Sequence, residues 1–63
     1  MHETLRGRNG QMLGTLREES GMIVLRDKHN NKLGYYNPRT NDTRDGNGRL
    51  LGRGNLLATL LND

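Results

Sequence analysis

Short runs of alternating apolar and polar residues recur along this chain, and each run is interrupted by a turn-forming sequence. The clearest unit is Leu-Arg-Gly-Arg-Asn-Gly-Gln-Met-Leu-Gly at 5–14, and related units lie at 25–34 and 43–52. In all three an Arg is followed seven residues later by Leu and then by Gly. The units start at 5, 25 and 43, and a repeat period of roughly 20 residues is typical of stacked or meandering units that cannot bury an apolar face alone.

The middle of each unit has the residues of a tight turn. Asn9-Gly10, the segment 29–31 and Asn47-Gly48 all tolerate the positive φ that primed two-residue turns require. Asn-Gly between short alternating runs is a strong hairpin signal. The pattern therefore predicts three β-hairpins.

Side-chain alternation along a strand assigns the two faces of these hairpins. We expect one residue of each unit to face the core: Leu5, Leu25 and Thr43. The following residue must then point outward: Arg6, Arg26 and Arg44. On the return strands we expect leucines in the core, namely Leu13, Leu33 and Leu51. The glycines after them are expected on the outer face, or at bulges where a backbone passes close: Gly14, Gly34 and Gly52.

Taken in order, the pattern predicts hairpins at about 3–17, 22–37 and 42–54. The segment 18–21 is a polar break, and Pro38 ends the strand before it because proline cannot donate to a ladder. The predicted fold is a single mainly β domain over 1–63, a three-hairpin antiparallel meander.

After Asn55 the spacing of apolar residues changes. Leucines recur at i, i+1, i+4 and i+5, which is one face of a helix: Leu56, Leu57, Leu60 and Leu61. Asn55 is a suitable N-cap for a short helix at about 56–61. So short a helix has no stability of its own, so we expect its leucines to dock on the sheet or on a second subunit.

Size and composition favour association. The chain has 63 residues, of which only 13 are Leu, Ile, Val or Phe. A core this small supplies little stability unless it is reinforced, and the absence of cysteine excludes disulfides. We therefore expect a homodimer, with the four C-terminal leucines as candidate contacts. A hairpin swapped between subunits is a further expectation, with hinges at 18–21 and 37–41.

Candidate chemistry is sparse. The only serine, Ser20, is far in sequence from His2 and His29, so nucleophilic catalysis is not expected. The glycines of 46–52 lack the βαβ context of a dinucleotide site, and the two histidines offer no zinc ligand set. We expect no enzyme activity, no cofactor and no small-molecule substrate.

The basic residues provide an alternative function. The net charge is +3, and the predicted outward face carries Arg6, Arg26, Lys32, Tyr36 and Arg44. Such a face could neutralise phosphates while an aromatic ring stacks on a base, as in a small nucleic-acid-binding module. Seven acidic residues and only two aromatic ones speak against it. A solvated charged face, which also discourages edge pairing of strands, is the favoured interpretation.

No basic start with an apolar run of the signal-peptide type is present, and no segment reaches the ~18 apolar residues of a membrane span. These features predict a cytoplasmic protein that does not enter the membrane.

The turn followed by two residues and Leu-Gly, with Tyr35-Tyr36-Asn37 in the second unit, resembles the hairpin repeats of tyrosine-aspartate (YD) repeat proteins. More generally it resembles tiny hairpin-repeat proteins of bacteria. The resemblance spans most of 5–54 and implies a β-hairpin array, and it carries no functional residue over to this chain.

Overall fold

The computed structural model describes residues 2–61, which form one six-stranded antiparallel sheet. Its strands follow the order of the chain: β1 (His2–Arg6), β2 (Met12–Glu19), β3 (Met22–Asp27), β4 (Lys32–Asn37), β5 (Asp42–Asp45) and β6 (Leu50–Arg53). The predicted mainly β meander of three hairpins is confirmed. The short C-terminal helix is a 3₁₀ helix over Leu57–Leu60.

The three repeated turns share one geometry. The residue that opens each loop donates its N–H to the carbonyl four positions on: Gly7 to Gln11 at 2.7 Å, Asp27 to Asn31 at 2.9 Å and Asp45 to Arg49 at 2.9 Å. Only one residue per loop has a positive φ: Gly10 (83°), Asn30 (69°) and Gly48 (89°). The prediction of primed two-residue turns at these three places is therefore wrong. Each is a three-residue loop that ends in one left-handed residue, the next commonest hairpin connection.

A two-residue turn with both φ values positive occurs elsewhere. Ser20 (φ 55°) and Gly21 (φ 82°) join β2 to β3, with Glu19 directly opposite Met22. The interpretation of 18–21 as a loose polar break is thus wrong. The β4–β5 connection is also closed, because the Asn41 N–H donates to the Asn37 carbonyl at 2.8 Å. Both predicted hinges, at 18–21 and 37–41, are thus hydrogen-bonded or tightly turned connections. The hairpin swap stays a prediction.

Every hairpin carries a β-bulge at the same place. Leu25 lies opposite Gly34 and Arg26 lies opposite Lys32, which leaves Leu33 as an extra residue in β4. Leu13 and Leu51 occupy the same position in the first and third hairpins. The bulge turns both Leu33 and Gly34 toward the 3₁₀ helix, since Leu33 lines a cleft with Leu60 and a Cβ on Gly34 would lie 2.6 Å from Leu60 Cδ1.

Residues directly opposite each other share a face of the sheet. The bulge therefore places three glycines on the same face as the residues expected in the core. Gly14 lies opposite Leu5, Gly34 opposite Leu25 and Gly52 opposite Thr43. We call this side the helix face. Assigning these glycines to the outer face is wrong, whereas the alternative, a bulge with close backbone approach, is right for Gly14 and Gly34.

The core is thin. Within residues 2–61 the buried apolar side chains are Val24, Leu25 and Leu57, and of these Leu25 is fully buried. Thr43 is also fully buried, and its hydroxyl donates to the Gly54 carbonyl at 2.6 Å and accepts the Leu56 N–H at 3.0 Å. These two bonds hold the C-terminal segment over the sheet. The expectation that Leu51 joins the core is wrong, because its side chain is 40 % exposed.

Candidate interaction surfaces

The basic residues predicted to point outward do share one side of the sheet, opposite the helix face. Lys32 lies directly opposite Arg26, and Tyr35 lies opposite Arg44. Thr4 and Arg26 are both opposite Thr15, which brings Arg6 to the same side two residues from Thr4. We call this side the arginine face.

The placement of Tyr36 requires a correction. Tyr36 lies opposite Thr43 on the helix face, and its hydroxyl donates to Asn41 Oδ1 at 2.8 Å. Tyr35 takes its place on the arginine face, with Lys32 Nζ 4.6 Å from the centre of its ring. The cause is the bulge, because the extra residue Leu33 exchanges the faces of the residues that follow.

The three repeated arginines have a role in their own hairpins. Each donates from its guanidinium to the carbonyl of the left-handed turn residue four positions on: Arg6 to Gly10 at 3.1 Å, Arg26 to Asn30 at 3.3 Å and Arg44 to Gly48 at 2.9 Å. From the sequence, these three arginines were interpreted only as charged residues on the outward face. The constant spacing of Arg to the turn residue is the signal that could have revealed the contact.

Acidic side chains have hydrogen-bond partners on both faces of the sheet, Glu19 on the arginine face and Asp27 and Asp45 at the turns of the helix face. Glu19 forms an ion pair with Arg26 at 3.3 Å, and the hydrogen bonds from this guanidinium lower the pKa of Glu19. In the second turn Asp27 Oδ1 accepts the N–H groups of Asn31 and His29, both at 2.8 Å. The Asn31 N–H is the main cause of a lowered pKa at Asp27. Asp45 Oδ1 accepts two equivalent N–H groups in the third turn.

A cleft of about 400 Å³ with a mixed apolar and polar lining opens on the helix face. Its leucines come from two bulges and the C-terminal segment: Leu13, Leu33, Leu60 and Leu61. Asp27, Lys28 and His29 form part of its rim. Of the four leucines named as possible dimer contacts, Leu57 is buried within its own chain at 4 % exposure. Leu56, Leu60 and Leu61 are half-buried, and the 3₁₀ helix packs on β4.

Comparison with family models, with curated proteins and with solved structures finds no match for this chain. Among residues 2–61 there is no helix of sufficient length and apolar character to cross a membrane. The same residues contain no group of three or more His, Asp or Glu side chains placed to hold a metal ion.

Proposed function

We propose that this protein is a non-enzymatic β-hairpin array with a structural or protein-interaction role, and that it acts by self-association as a homodimer. The observation that supports the proposal is the incomplete cover of the helix face. The 3₁₀ helix packs mainly on β4, while Leu5, Leu16 and Ile23 on β1 to β3 remain only half-buried. A second subunit would remove part of this apolar surface from water.

The small core gives a second reason for association. Three buried apolar side chains within residues 2–61 are few to hold six strands, and chains of this length usually need additional stabilisation. Disulfides are unavailable to a chain without cysteine. Association supplies the missing burial without any change to the hairpins.

Mass and unfolding measurements across a range of protein concentrations test this proposal. We expect a species of twice the 7.1 kDa chain mass in sedimentation equilibrium, and an unfolding midpoint that rises with protein concentration. A 7.1 kDa species with a constant midpoint throughout that range would contradict self-association.

Nucleic-acid binding is the second candidate, supported by the position of Tyr35 beside Lys32 and opposite Arg44. A half-buried tyrosine ring among cations suits a single-stranded nucleic acid. We place it second because the guanidinium groups of Arg6, Arg26 and Arg44 already donate to turn carbonyls.

The two tyrosines make a matched pair for testing this second candidate. If the arginine face binds a labelled single-stranded oligonucleotide, Tyr35→Leu should weaken binding, and the affinity should fall steeply with salt. Tyr36→Leu, on the helix face, should leave the affinity unchanged. No binding by the wild-type protein at low salt would eliminate this candidate.

A further inference from the structure

The two edges of the sheet differ. At the β6 edge the chain turns away at Gly54, which has a φ of 83° and donates its N–H to the Asn41 carbonyl at 2.8 Å. The segment beyond it returns over the helix face through the bonds of Thr43. At the other edge, β1 has a neighbouring strand on one side only within residues 2–61. Within this range both edge strands have one side without a neighbour, but β6 is four residues long and interrupted by the bulge at Leu51, whereas β1 runs for five residues without a bulge of its own, which makes β1 the better edge for pairing.

Main-chain alternation identifies the backbone groups on the open edge. The Gly7 N–H points inward, because it donates to the Gln11 carbonyl of the same hairpin. Backbone groups alternate in direction along a strand, and the bulge of this hairpin lies in β2, so β1 keeps its alternation. Leu5 and Glu3 therefore pair with β2. His2, Thr4 and Arg6 present their N–H and C=O groups at the open edge.

We propose that β1 is the self-association interface, in which two copies pair antiparallel across a two-fold axis at Thr4; this inference rests on the proposed function. In this register Thr4 faces the partner subunit's Thr4, and His2 faces the partner subunit's Arg6. Every outward backbone group of His2, Thr4 and Arg6 then exchanges hydrogen bonds with the partner. A shift of two residues in either direction would leave some of these groups unpaired.

The side chains suit the same register. Thr4 is exposed on the arginine face, and a direct Thr–Thr pair across antiparallel strands is favourable. On the helix face Glu3 lies opposite the partner subunit's Leu5. A two-fold axis perpendicular to the sheet keeps both helix faces on one side, so the half-buried Leu5 is covered by the partner subunit's Glu3 and, diagonally, by the partner subunit's Leu5.

Head-to-tail pairing of β6 with β1 fits poorly, which is why the second copy must present the same edge. Inside the chain, hairpins join with Gly14 opposite Asp27 and Gly34 opposite Asp45. The equivalent contact between copies would place Gly52 opposite Gly7 and Arg53 opposite Arg6. Like charges directly opposite each other destabilise a strand pair, and the chain leaves the edge one residue later. The association is therefore closed and stops at a dimer.

Cysteine at position 4 tests the register directly, since the chain has no cysteine of its own. Residues in a hydrogen-bonded antiparallel pair have Cα atoms about 5.5 Å apart, within the range a disulfide spans. Thr4→Cys should therefore form a covalent dimer in a glutathione redox buffer. Thr15→Cys, on the same face one strand further in, should remain a monomer on a non-reducing gel.

Charge complementation provides an independent readout. Thr4→Lys and Thr4→Glu should each shift the mass of the protein toward the monomer, because like charges then meet across the axis, and mixing the two variants should restore the dimer. Thr15→Lys is the matched control and should dimerise like the wild type. If the wild type dimerises but the position-4 variants behave as their controls do, the β1 interface is wrong and self-association stands. A wild type that stays monomeric overturns both.

Discussion

Gly34 packs against the backbone of Arg44, so closely that a Cβ on this glycine would lie 2.6 Å from the Arg44 carbonyl oxygen. Gly14 meets the carbonyl oxygen of Arg26 in the same way. The glycine of one hairpin thus packs against the backbone of the repeated arginine in the next hairpin. The repeated Leu-Gly pair therefore encodes both a bulge and the junction between neighbouring hairpins.

Gly34→Ala should lower the free energy of unfolding by about 1–3 kcal/mol, because the carbonyl that blocks the new methyl group belongs to the backbone. Urea unfolding followed by circular dichroism measures the change. Gly48→Asn is the control. Nothing lies within 4 Å of a Cβ there, and the equivalent position of the second hairpin is already Asn30 in the same conformation. Equal midpoints for the two variants would contradict the close approach.

Thr43→Val should cost about 1–3 kcal/mol, because it removes the hydroxyl shared by the Gly54 carbonyl and the Leu56 N–H and leaves both without that partner. Thermal unfolding monitors the loss. Thr40→Val, at an exposed turn position, should change the midpoint little. A Thr43→Val protein as stable as wild type would show that the C-terminal segment is held by its leucines alone.

Leu25→Ala should leave the chain largely unfolded, since a buried Leu→Ala change costs about 2–5 kcal/mol and a domain this small has about that much stability. Leu50→Ala should be mild, because the Leu50 side chain is 52 % exposed. Proton NMR dispersion distinguishes the two results. A dispersed spectrum for Leu25→Ala with an unchanged midpoint would contradict the central position of Leu25.

Acid should weaken the second turn. The pKa of Asp27 is lowered in the folded state, so its contribution to stability is complete above the ordinary Asp range near about 4 and is lost as the pH falls through the lowered value. Asp27→Asn keeps an oxygen acceptor for the Asn31 N–H and removes the titration. The variant should therefore show a shallower loss of unfolding midpoint below about pH 4. An unchanged pH profile would show that Asp27 does not contribute.

The strand order followed from the sequence because each hairpin carries its own turn signal and an apolar alternation, both local features. The face of Tyr35 and Tyr36 did not, because it depends on one extra residue at Leu33. Alternation counted from Leu33 places Tyr36 outward, whereas the bulge places Tyr35 there. The Leu-Gly dipeptide that recurs on each return strand was the feature of the sequence that indicated a bulge.

Turn type was similarly underdetermined. Asn-Gly suits both a primed two-residue turn and the end of a three-residue loop, and the choice depends on how the strands register with the bulge. Ser20-Gly21 carries a weaker turn sequence, yet it forms the tighter turn because Glu19 and Met22 are directly paired. The position of β1 at an edge follows from the meander order, but the direction of its backbone groups could be assigned only from the hydrogen bond between the Gly7 N–H and the Gln11 carbonyl.

The bulges also affect how this chain behaves when it is crowded or partly unfolded. A bulge bends its strand and increases the local twist, and here it recurs at the same point of all three hairpins. Amyloid fibrils require flat strands that stack in register over many copies. A chain with eleven leucines and an open edge would otherwise be a candidate for such stacking. We expect the repeated kink to oppose fibril growth by the folded protein while β1 stays available for pairing with one partner strand.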